Sequence, residues 1–199
     1  LNNLPKGAQD IANGNWEREA NRGEELDGKT IGLIGYGHTG SHFAQKLQGF
    51  DVKVLCHDIL PNKGNEKATQ VSLATLQTQA DIVSLHLPQT PETEAYVNVD
   101  FINSMAKPFW LVNTSRGNQV VIDDLLEAIL RGVARAEAQY PMVVGLLGLL
   151  QRIKSVEDNA WWCDWILERK QHFVGMDLAD DEVAFPASPF APLFQKAKA

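Results

Sequence analysis

Residues 28–58, GKTIGLIGYGHTGSHFAQKLQGFDVKVLCHD, contain the pattern that decides the fold. Thr30–Gly35 is a short apolar run that ends in glycine, which is typical of a buried strand. Over Thr39–Gly49 the apolar residues change to helical spacing, and Val52–Cys56 is again an apolar run of strand length. The stretch therefore predicts a strand, a helix and a second strand that is parallel to the first.

The loop between the first strand and the helix reads Gly35-Tyr36-Gly37-His38-Thr39-Gly40, a G-x-G-x-x-G pattern. In this context Gly35 permits a tight turn, Gly37 lets a ligand approach the backbone, and Gly40 lets the helix pack close to the strand. The unpaired N–H groups of the first helical turn attract an anion such as a pyrophosphate. We favour a dinucleotide site over the alternative, a glycine-rich turn that binds no ligand.

An acidic residue at the end of the second strand supports this interpretation. Asp58 lies 18 residues after Gly40, close to the spacing of about 20 that is typical of dinucleotide sites. A carboxylate at this position accepts hydrogen bonds from ribose hydroxyls and repels a 2′-phosphate. The next two residues, Ile59 and Leu60, include no arginine to neutralise such a phosphate, so the sequence favours NAD over NADP.

The rest of the chain continues the alternation of strands and helices up to about Ala134. Short apolar strands that alternate with amphipathic helices specify a parallel sheet covered on both faces, so we predict a doubly wound, Rossmann-like α/β fold. Beyond Ala134, Val143–Leu150 fits either a strand or a helix. The other expected elements are strands at Asp81–Leu87 and Trp110–Asn113, a polar loop between Asp58 and Gln70, helices at Leu73–Gln79, Asp100–Met105, Ile122–Leu130 and Asn159–Phe173, and an extended tail containing Pro186, Pro189 and Pro192.

Composition narrows the class of protein. The chain has 199 residues, with 18 Lys and Arg against 25 Asp and Glu, and this net charge of −7 argues against binding to nucleic acid or an anionic membrane. The longest apolar run, Met142–Leu150, is much shorter than the roughly 20 residues that a bilayer span needs. Two cysteines suit a reduced, cytoplasmic protein. We predict no metal site, and since the chain begins at Leu1 we expect it to be a piece of a longer protein.

Three motifs in order give the chain a family resemblance. Residues 28–58, Ala80–Thr93 (ADIVSLHLPQTPET) and Leu111–Gly117 (LVNTSRG) resemble the nucleotide-binding domain of NAD-dependent D-2-hydroxyacid dehydrogenases, particularly the D-3-phosphoglycerate dehydrogenase branch. The resemblance covers about residues 1–132. It implies a dinucleotide-binding core with an N-terminal approach segment there, and a divergent segment at 133–199 packed on the same domain.

The resemblance also implies roles for individual residues. Arg116 matches the arginine that holds the substrate carboxylate, with a surface or ion-paired arginine as the alternative. His86 and Pro88 match the loop beside the adenosine half of the cofactor, so we do not expect His86 to be an acid–base residue. Thr114 matches a residue near the nicotinamide ribose. His38, beside Thr39 in the glycine loop, reaches the pyrophosphate or is an exposed bystander.

The chain departs from the family after residue 132. The family's acidic motif is absent from Arg131–Tyr140, and neither chain end has room for a substrate domain, which is therefore largely missing. His172, in His172-Phe173-Val174-Gly175, has the spacing of the family's catalytic histidine, but a charged run precedes it. A solvated histidine at a helix end is the alternative to a catalytic role for His172.

Two functions remain open from the sequence. The first is the NAD-binding domain of an oxidoreductase that transfers a hydride between NAD and a small D-2-hydroxy or 2-keto acid. We expect this chain by itself to have weak activity or none, and the resemblance implies a homodimer, since the family's enzymes are usually dimers. The second is a non-catalytic Rossmann scaffold, natural or engineered, that binds a protein partner through Trp161, Trp162 and Trp165. The three tryptophans have helical spacing, so packing in a core is the plainer explanation.

Overall fold

The computed structural model describes residues 10–17, 23, 25–139, 145–180 and 184–198. The chain divides into two compact units, Leu1–Ile129 and Leu130–Ala199. Each unit has its own sheet and its own hydrophobic core. None of the described helices is both long enough and apolar enough to cross a membrane. That residues 1–132 form a dinucleotide-binding core, with residues 133–199 packed on the same domain, stays a prediction.

The first unit is built on a five-stranded parallel sheet. Its strands are β1 (Thr30–Ile34), β2 (Lys53–His57), β3 (Thr69–Gln70), β4 (Ile82–Leu85) and β5 (Trp110–Asn113). Their order across the sheet is β3-β2-β1-β4-β5, and every neighbouring pair is parallel. From β1 the chain adds β2 and β3 on one side of the sheet, and it then crosses back to add β4 and β5 on the other side. This topology confirms the predicted doubly wound α/β fold.

Helices cover both faces of the sheet because successive residues of a strand point to opposite sides. On one face, Ile31 and Leu33 of β1 pack with Ala44 of the first helix. On the other face, Ile34 packs with Leu76 of the second helix. The helices of this unit are α1 (His38–Leu47), α2 (Leu73–Gln79), α3 (Val99–Asn103) and α4 (Ile122–Gln139), the last of which continues into the second unit.

Most predicted elements of this unit are confirmed, and Leu73–Gln79 and Trp110–Asn113 agree residue for residue. Two predictions are wrong. The segment between Asp58 and Gln70, predicted as a loop, contains the edge strand β3, which has no apolar run because both of its residues are polar. The helix predicted at Ile122–Leu130 continues to Gln139, since Gly132 inside a helix costs only about 1 kcal/mol relative to alanine.

The second unit consists of two parallel strands joined by a helix. These elements are β6 (Leu146–Gln151), α5 (Val156–Leu167) and β7 (Phe173–Ala179). The ambiguous segment Val143–Leu150 is therefore a strand from Leu146 onward, and residues 143–144 lie outside the described ranges. Gly148 lies against Ile166 of α5 so closely that a Cβ at residue 148 would collide with the isoleucine side chain.

The boundaries of α5 correct the predicted helix at Asn159–Phe173. The helix begins earlier because the Ser155 side chain accepts a hydrogen bond from the backbone N–H of Asp158 at 3.0 Å. Asn159 is buried, and its side chain accepts from Gln151 N and donates to Gln151 O, both at 2.9 Å. The helix ends at Leu167, and Phe173 already begins β7.

The predicted extended tail is also wrong. The end of the chain forms a 3₁₀ turn, Ser188–Phe190, followed by α6, Ala191–Lys198. Pro189 and Pro192 lie in the first turns of these helices, where a proline removes no intrahelical hydrogen bond. The turn and the helix contribute Phe190 and Leu193 to the core that contains Leu150, Cys163 and Ile166.

Candidate functional site

The candidate site lies at the carboxyl edge of the five-stranded sheet, beside the point where the strand order reverses between β1 and β4. Ligands of open α/β sheets bind in this position. Because the strands are parallel, the segments that follow them meet at the same edge. The segments after β1, β2, β4 and β5 carry Gly35–Gly40, Asp58, His86–Pro88 and Thr114–Arg116, which are the predicted site residues of the first unit.

The three glycines of the loop meet different steric demands. Gly35 has φ +89°, and a Cβ there would lie 2.6 Å from the carbonyl oxygen of His86. A Cβ on Gly40 would collide with the carbonyl oxygen of Gly35. Gly37 has no neighbour within 4 Å of the position that a Cβ would take. Gly35 and Gly40 are therefore needed for packing, whereas the backbone at Gly37 faces open space that a ligand can enter.

The first turn of α1 provides a positive field at this open space. Gly37 is the N-cap, no side chain caps the helix, and the first turn contains no acidic residue. His38 and Thr39 follow and are both exposed. The first four N–H groups of a helix have no partner within it, and the helix dipole is positive at this end. The turn therefore suits a phosphate or pyrophosphate.

Asp58 is held against the glycine loop by hydrogen bonds. Its Oδ2 accepts from the backbone N–H of Tyr36 at 2.8 Å, and its Oδ1 accepts from the backbone N–H of Leu60 at 2.9 Å. Each oxygen of an ionised carboxylate can accept a further bond, so the group retains capacity for ribose hydroxyls. The next two residues, Ile59 and Leu60, are apolar, so neither side chain places a positive charge beside the carboxylate.

His86 is placed as a structural residue. Its Nε2 lies 3.0 Å from Ser84 Oγ, and its ring centroid lies 5.3 Å from that of Phe43. Burial lowers the pKa of His86 below its ordinary value of 6.5, so the ring is neutral at neutral pH. This geometry supports the expectation that His86 does not exchange protons with a substrate. Pro88 is exposed on the loop that follows.

Thr114 and Arg116 lie on the loop that follows β5. The Thr114 hydroxyl donates to the carbonyl oxygen of Leu85 at 3.0 Å, which ties this loop to the end of β4. Arg116 is exposed, and its Nη1 donates to the carbonyl oxygen of Ser115 at 2.9 Å. No carboxylate of the described residues forms an ion pair with Arg116, so its guanidinium retains donors for a carboxylate ligand.

The sequence analysis missed the polar residues that position these loops. The hydroxyl of Ser115 accepts from the backbone N–H of Leu87 at 2.9 Å. Asn113 accepts from Ser115 N at 2.9 Å and donates to Arg116 O at 2.8 Å, so its side chain sets the turn that carries the arginine. Asn113-Thr114-Ser115 is the signal that could have been used, since these residue types favour side-chain bonds to nearby backbone groups.

His172 belongs to the second unit. It is half-buried in the turn between α5 and β7, and its backbone N–H donates to the carbonyl oxygen of Arg169 at 2.9 Å. Its catalytic role rests on motif spacing and stays a prediction. Among the described residues there is no group of three or more His, Cys, Asp or Glu side chains that could hold a metal ion.

The contact between Gly40 and Gly35 predicts that alanine destabilises the protein at Gly40 but not at Gly49, a glycine just after the other end of α1. We expect Gly40→Ala to lower the free energy of unfolding by about 2–3 kcal/mol, because the new methyl group collides with backbone that cannot move aside. Gly49→Ala has no neighbour within 4 Å, so we expect a change within about 0.5 kcal/mol. Urea unfolding followed by circular dichroism measures both, and equal stability of the two variants would contradict this packing.

The environment of His86 predicts a pH dependence of stability. Since the folded state holds the pKa of His86 below 6.5, the unfolded chain binds the extra proton first as the pH falls. Its contribution is therefore absent above pH 6.5, becomes more destabilising as the pH falls toward the folded pKa, and stays constant below that pKa. We expect His86→Asn to flatten the loss of unfolding free energy between neutral and mildly acidic pH. Urea unfolding at a series of pH values measures this slope, and a wild-type slope in the His86→Asn variant would contradict the assignment.

The sequence and fold of this chain are similar to those of known proteins. The family described as "D-isomer specific 2-hydroxyacid dehydrogenase, NAD binding domain" matches residues 1–138. A hydroxypyruvate reductase of Thermotoga maritima is 34% identical over 122 residues, which cover 61% of this chain and 40% of that protein. A D-3-phosphoglycerate dehydrogenase of Haemophilus influenzae is 35% identical over 141 residues, covering 69% of this chain and 34% of that protein.

A solved structure of the same family is also similar to this chain. The NAD-complexed D-isomer-specific 2-hydroxyacid dehydrogenase of Lactobacillus delbrueckii has a TM-score of 0.56 and 29% identity, covering 66% of this chain and 42% of that one. The chain spans between 34% and 40% of the length of the two curated relatives above. The predicted family and cofactor are confirmed. Since the match covers more than half of its residues, this chain belongs to the NAD-binding domain family of the D-isomer-specific 2-hydroxyacid dehydrogenases, whose cofactor is NAD.

Proposed function

We propose that this chain binds NAD at the carboxyl edge of its first sheet, with the pyrophosphate on the N-terminal turn of α1 and the adenosine ribose on Asp58. The observation that carries the proposal is the 2.8 Å hydrogen bond between Asp58 Oδ2 and the N–H of Tyr36. It holds the carboxylate one residue away from Gly37, where the backbone faces open space. A ribose and the phosphate attached to it need an acceptor and an anion site this close together.

The neighbouring loops would contact the rest of the cofactor. His38 and Thr39 are exposed in the turn proposed for the pyrophosphate. His86 and Pro88 border the adenosine half, and Thr114 borders the nicotinamide ribose. NAD supplies the hydride acceptor, and NADH the donor, so the protein supplies orientation and charge. The fit to the family's cofactor therefore rests on an open glycine backbone and a fixed acid, both in the first unit.

Arg116 is the proposed contact for the substrate carboxylate. It is exposed on the turn set by Asn113, at the same edge of the sheet as the cofactor residues. A guanidinium binds a carboxylate through two parallel hydrogen bonds, which would orient a 2-hydroxy or 2-keto acid. Relatives of this chain are named hydroxypyruvate reductase, glyoxylate reductase and D-3-phosphoglycerate dehydrogenase. We propose a small D-2-hydroxy acid of this class as the substrate of the complete enzyme, which we expect to be a cytoplasmic homodimer.

The isolated chain should turn over weakly or not at all. Hydride transfer to a 2-keto acid leaves an alkoxide that needs a proton donor, and an acid must hold that donor in place. Residues 131–140 lack the family's acidic motif. His172 is the proposed donor by spacing, without an acid assigned to it. Binding of the cofactor without efficient proton transfer is the function that these residues support.

The second candidate function, a scaffold that binds a protein partner, has one observation in its favour. Trp161 is 57% exposed on α5. The other tryptophans are explained by contacts within the unit, since Trp162 packs edge-on between Trp161 and Trp165, at 4.8 Å and 5.8 Å between centroids. Trp165 in turn lies 6.0 Å from the ring of Phe173 and 4.3 Å below the guanidinium of Arg169. Trp165 packs against the buried core of the unit, whereas Trp162 is itself 38% exposed, so a core role is supported for Trp165 alone.

Substitution of Asp58 tests the cofactor site. We expect Asp58→Ala to weaken NADH binding by about 10- to 100-fold, the effect of losing hydrogen bonds to a charged group, while NADPH binding changes less or improves. Titration of NADH fluorescence measures both affinities. Asp51→Ala changes an exposed acid just before the opposite end of β2 and is the matched control, with no expected effect. Unchanged NADH affinity in a folded Asp58→Ala protein would contradict the proposed ribose contact.

A hydride-transfer assay separates the two candidate functions. With NADH and hydroxypyruvate, glyoxylate or pyruvate, we expect the chain to bind the cofactor with little or no oxidation of it. Turnover that is lost in both Arg116→Ala and His172→Ala would show that the chain is a complete catalyst, against the proposal of weak activity. A chain that binds no NADH at all would favour the scaffold function instead.

A further inference from the structure

Gln119 contacts the loop that follows β4, and it is completely buried although its side chain is polar. It ends the 3₁₀ turn Gly117–Gln119 that follows Arg116. Its Nε2 donates to the carbonyl oxygen of Pro88 at 2.9 Å and to that of Leu87 at 3.3 Å. Its own backbone carbonyl accepts from Val97 N at 2.8 Å. One buried side chain thus connects the turn of the proposed substrate arginine to the proposed cofactor loop.

The bonds of Gln119 come at a cost that an apolar residue would avoid. Its Oε1 is buried, and no donor from the described residues reaches it. Leaving a buried acceptor without a partner costs free energy that a leucine of similar size would not lose. The two bonds from Nε2 are therefore what distinguishes glutamine from an apolar residue at this position.

Two further side-chain hydrogen bonds from the segment after β5 also hold the loop that follows β4. Ser115 Oγ accepts from the N–H of Leu87 at 2.9 Å, and Thr114 Oγ1 donates to the carbonyl oxygen of Leu85 at 3.0 Å. With Gln119, the residues that follow β5 hold both the N–H and the carbonyl oxygen of Leu87. Three side chains from the segment after β5 therefore hold this loop from outside, and within it the hydroxyl of Thr93 donates to the carbonyl oxygen of Pro88 at 2.7 Å.

We propose that Gln119 is a positioning residue for the cofactor: it holds the His86–Pro88 loop at a fixed distance from the Arg116 turn, so that the gap between them exists before the cofactor binds. The inference rests on the proposed NAD site. A loop that is already fixed loses less conformational entropy when a ligand binds, so a preorganised gap raises affinity. Without Gln119 the loop samples other positions, and binding must first order it.

Two buried glutamines allow a matched test in the full chain. Gln119→Leu removes the bonds to Leu87 and Pro88. Gln77→Leu is the control, because Gln77 is also buried and donates one bond to a backbone carbonyl, that of Phe101 at 3.5 Å, but lies on α2. Ser115→Ala removes the other bond to Leu87 and serves as a milder second variant if Gln119→Leu does not fold. The readouts are amide hydrogen exchange at Leu87 without cofactor, NADH affinity by fluorescence, and thermal unfolding.

We expect Ser115→Ala to speed amide exchange at Leu87 and to weaken NADH binding, each by about tenfold, the effect of one lost hydrogen bond. Gln119→Leu removes two bonds and should change both quantities by at least as much. Gln77→Leu should change thermal unfolding alone. If the folded variants bind NADH as tightly as wild type, the positioning role is wrong although the NAD site stands. If wild type binds no NADH, the NAD site falls, and with it the cofactor role of Gln119, whatever the exchange at Leu87 shows.

Discussion

Helix α1 can pack against the end of β1 only because Gly40 presents no Cβ to the carbonyl oxygen of Gly35. This contact fixes where the N-terminus of the helix lies relative to the sheet edge. Gly35, at φ +89°, makes the turn that the contact requires, and its N–H donates to the carbonyl oxygen of His57 at 2.9 Å. The end of β2, and with it Asp58, is thereby connected to the start of the helix. The anion site and the acid are consequences of one backbone contact.

Side chains rather than a ligand keep the surrounding loops in place. Asp58 accepts from the glycine loop, Thr114 donates to the end of β4, and Ser115 accepts from Leu87. Each bond joins segments that follow different strands, so the loops cannot shift independently. A site that is ordered in this way binds a cofactor with a small entropic cost. The half-buried, neutral ring of His86 packs against Phe43 at the same edge of the sheet.

The sequence predicted those parts of the structure that depend on local patterns. The apolar run at Trp110–Asn113, the helical spacing at Leu73–Gln79 and the order of glycines and acid were sufficient for the fold and the family. Strand β3 was missed because its two polar residues are held by pairing with β2, a contact distant in sequence. The tail was misjudged because a proline in the first turn of a helix looks the same in sequence as one in an extended segment.

The same difference between local patterns and contacts distant in sequence applies to the site residues. Asp58 was predicted from the typical spacing of strand-end acids, whereas its bond to Tyr36 N could be seen only in the folded loop. Gln119 had no sequence signal at all, since its burial results from the loop that covers it. In the second unit, Val143–Leu150 fitted either a strand or a helix by its pattern, and the structure forms a strand from Leu146 onward.

The central claim is that NAD occupies the junction of β1 and α1, and amide chemical shifts of the ¹⁵N-labelled chain test it most directly. On addition of NAD, the account predicts that the largest shift changes occur at Gly37, His38 and Thr39, with further changes at Ile59 and Leu60 beside the ribose acid. Saturable binding whose shift changes leave these amides unmoved, or the absence of any change, would contradict the account.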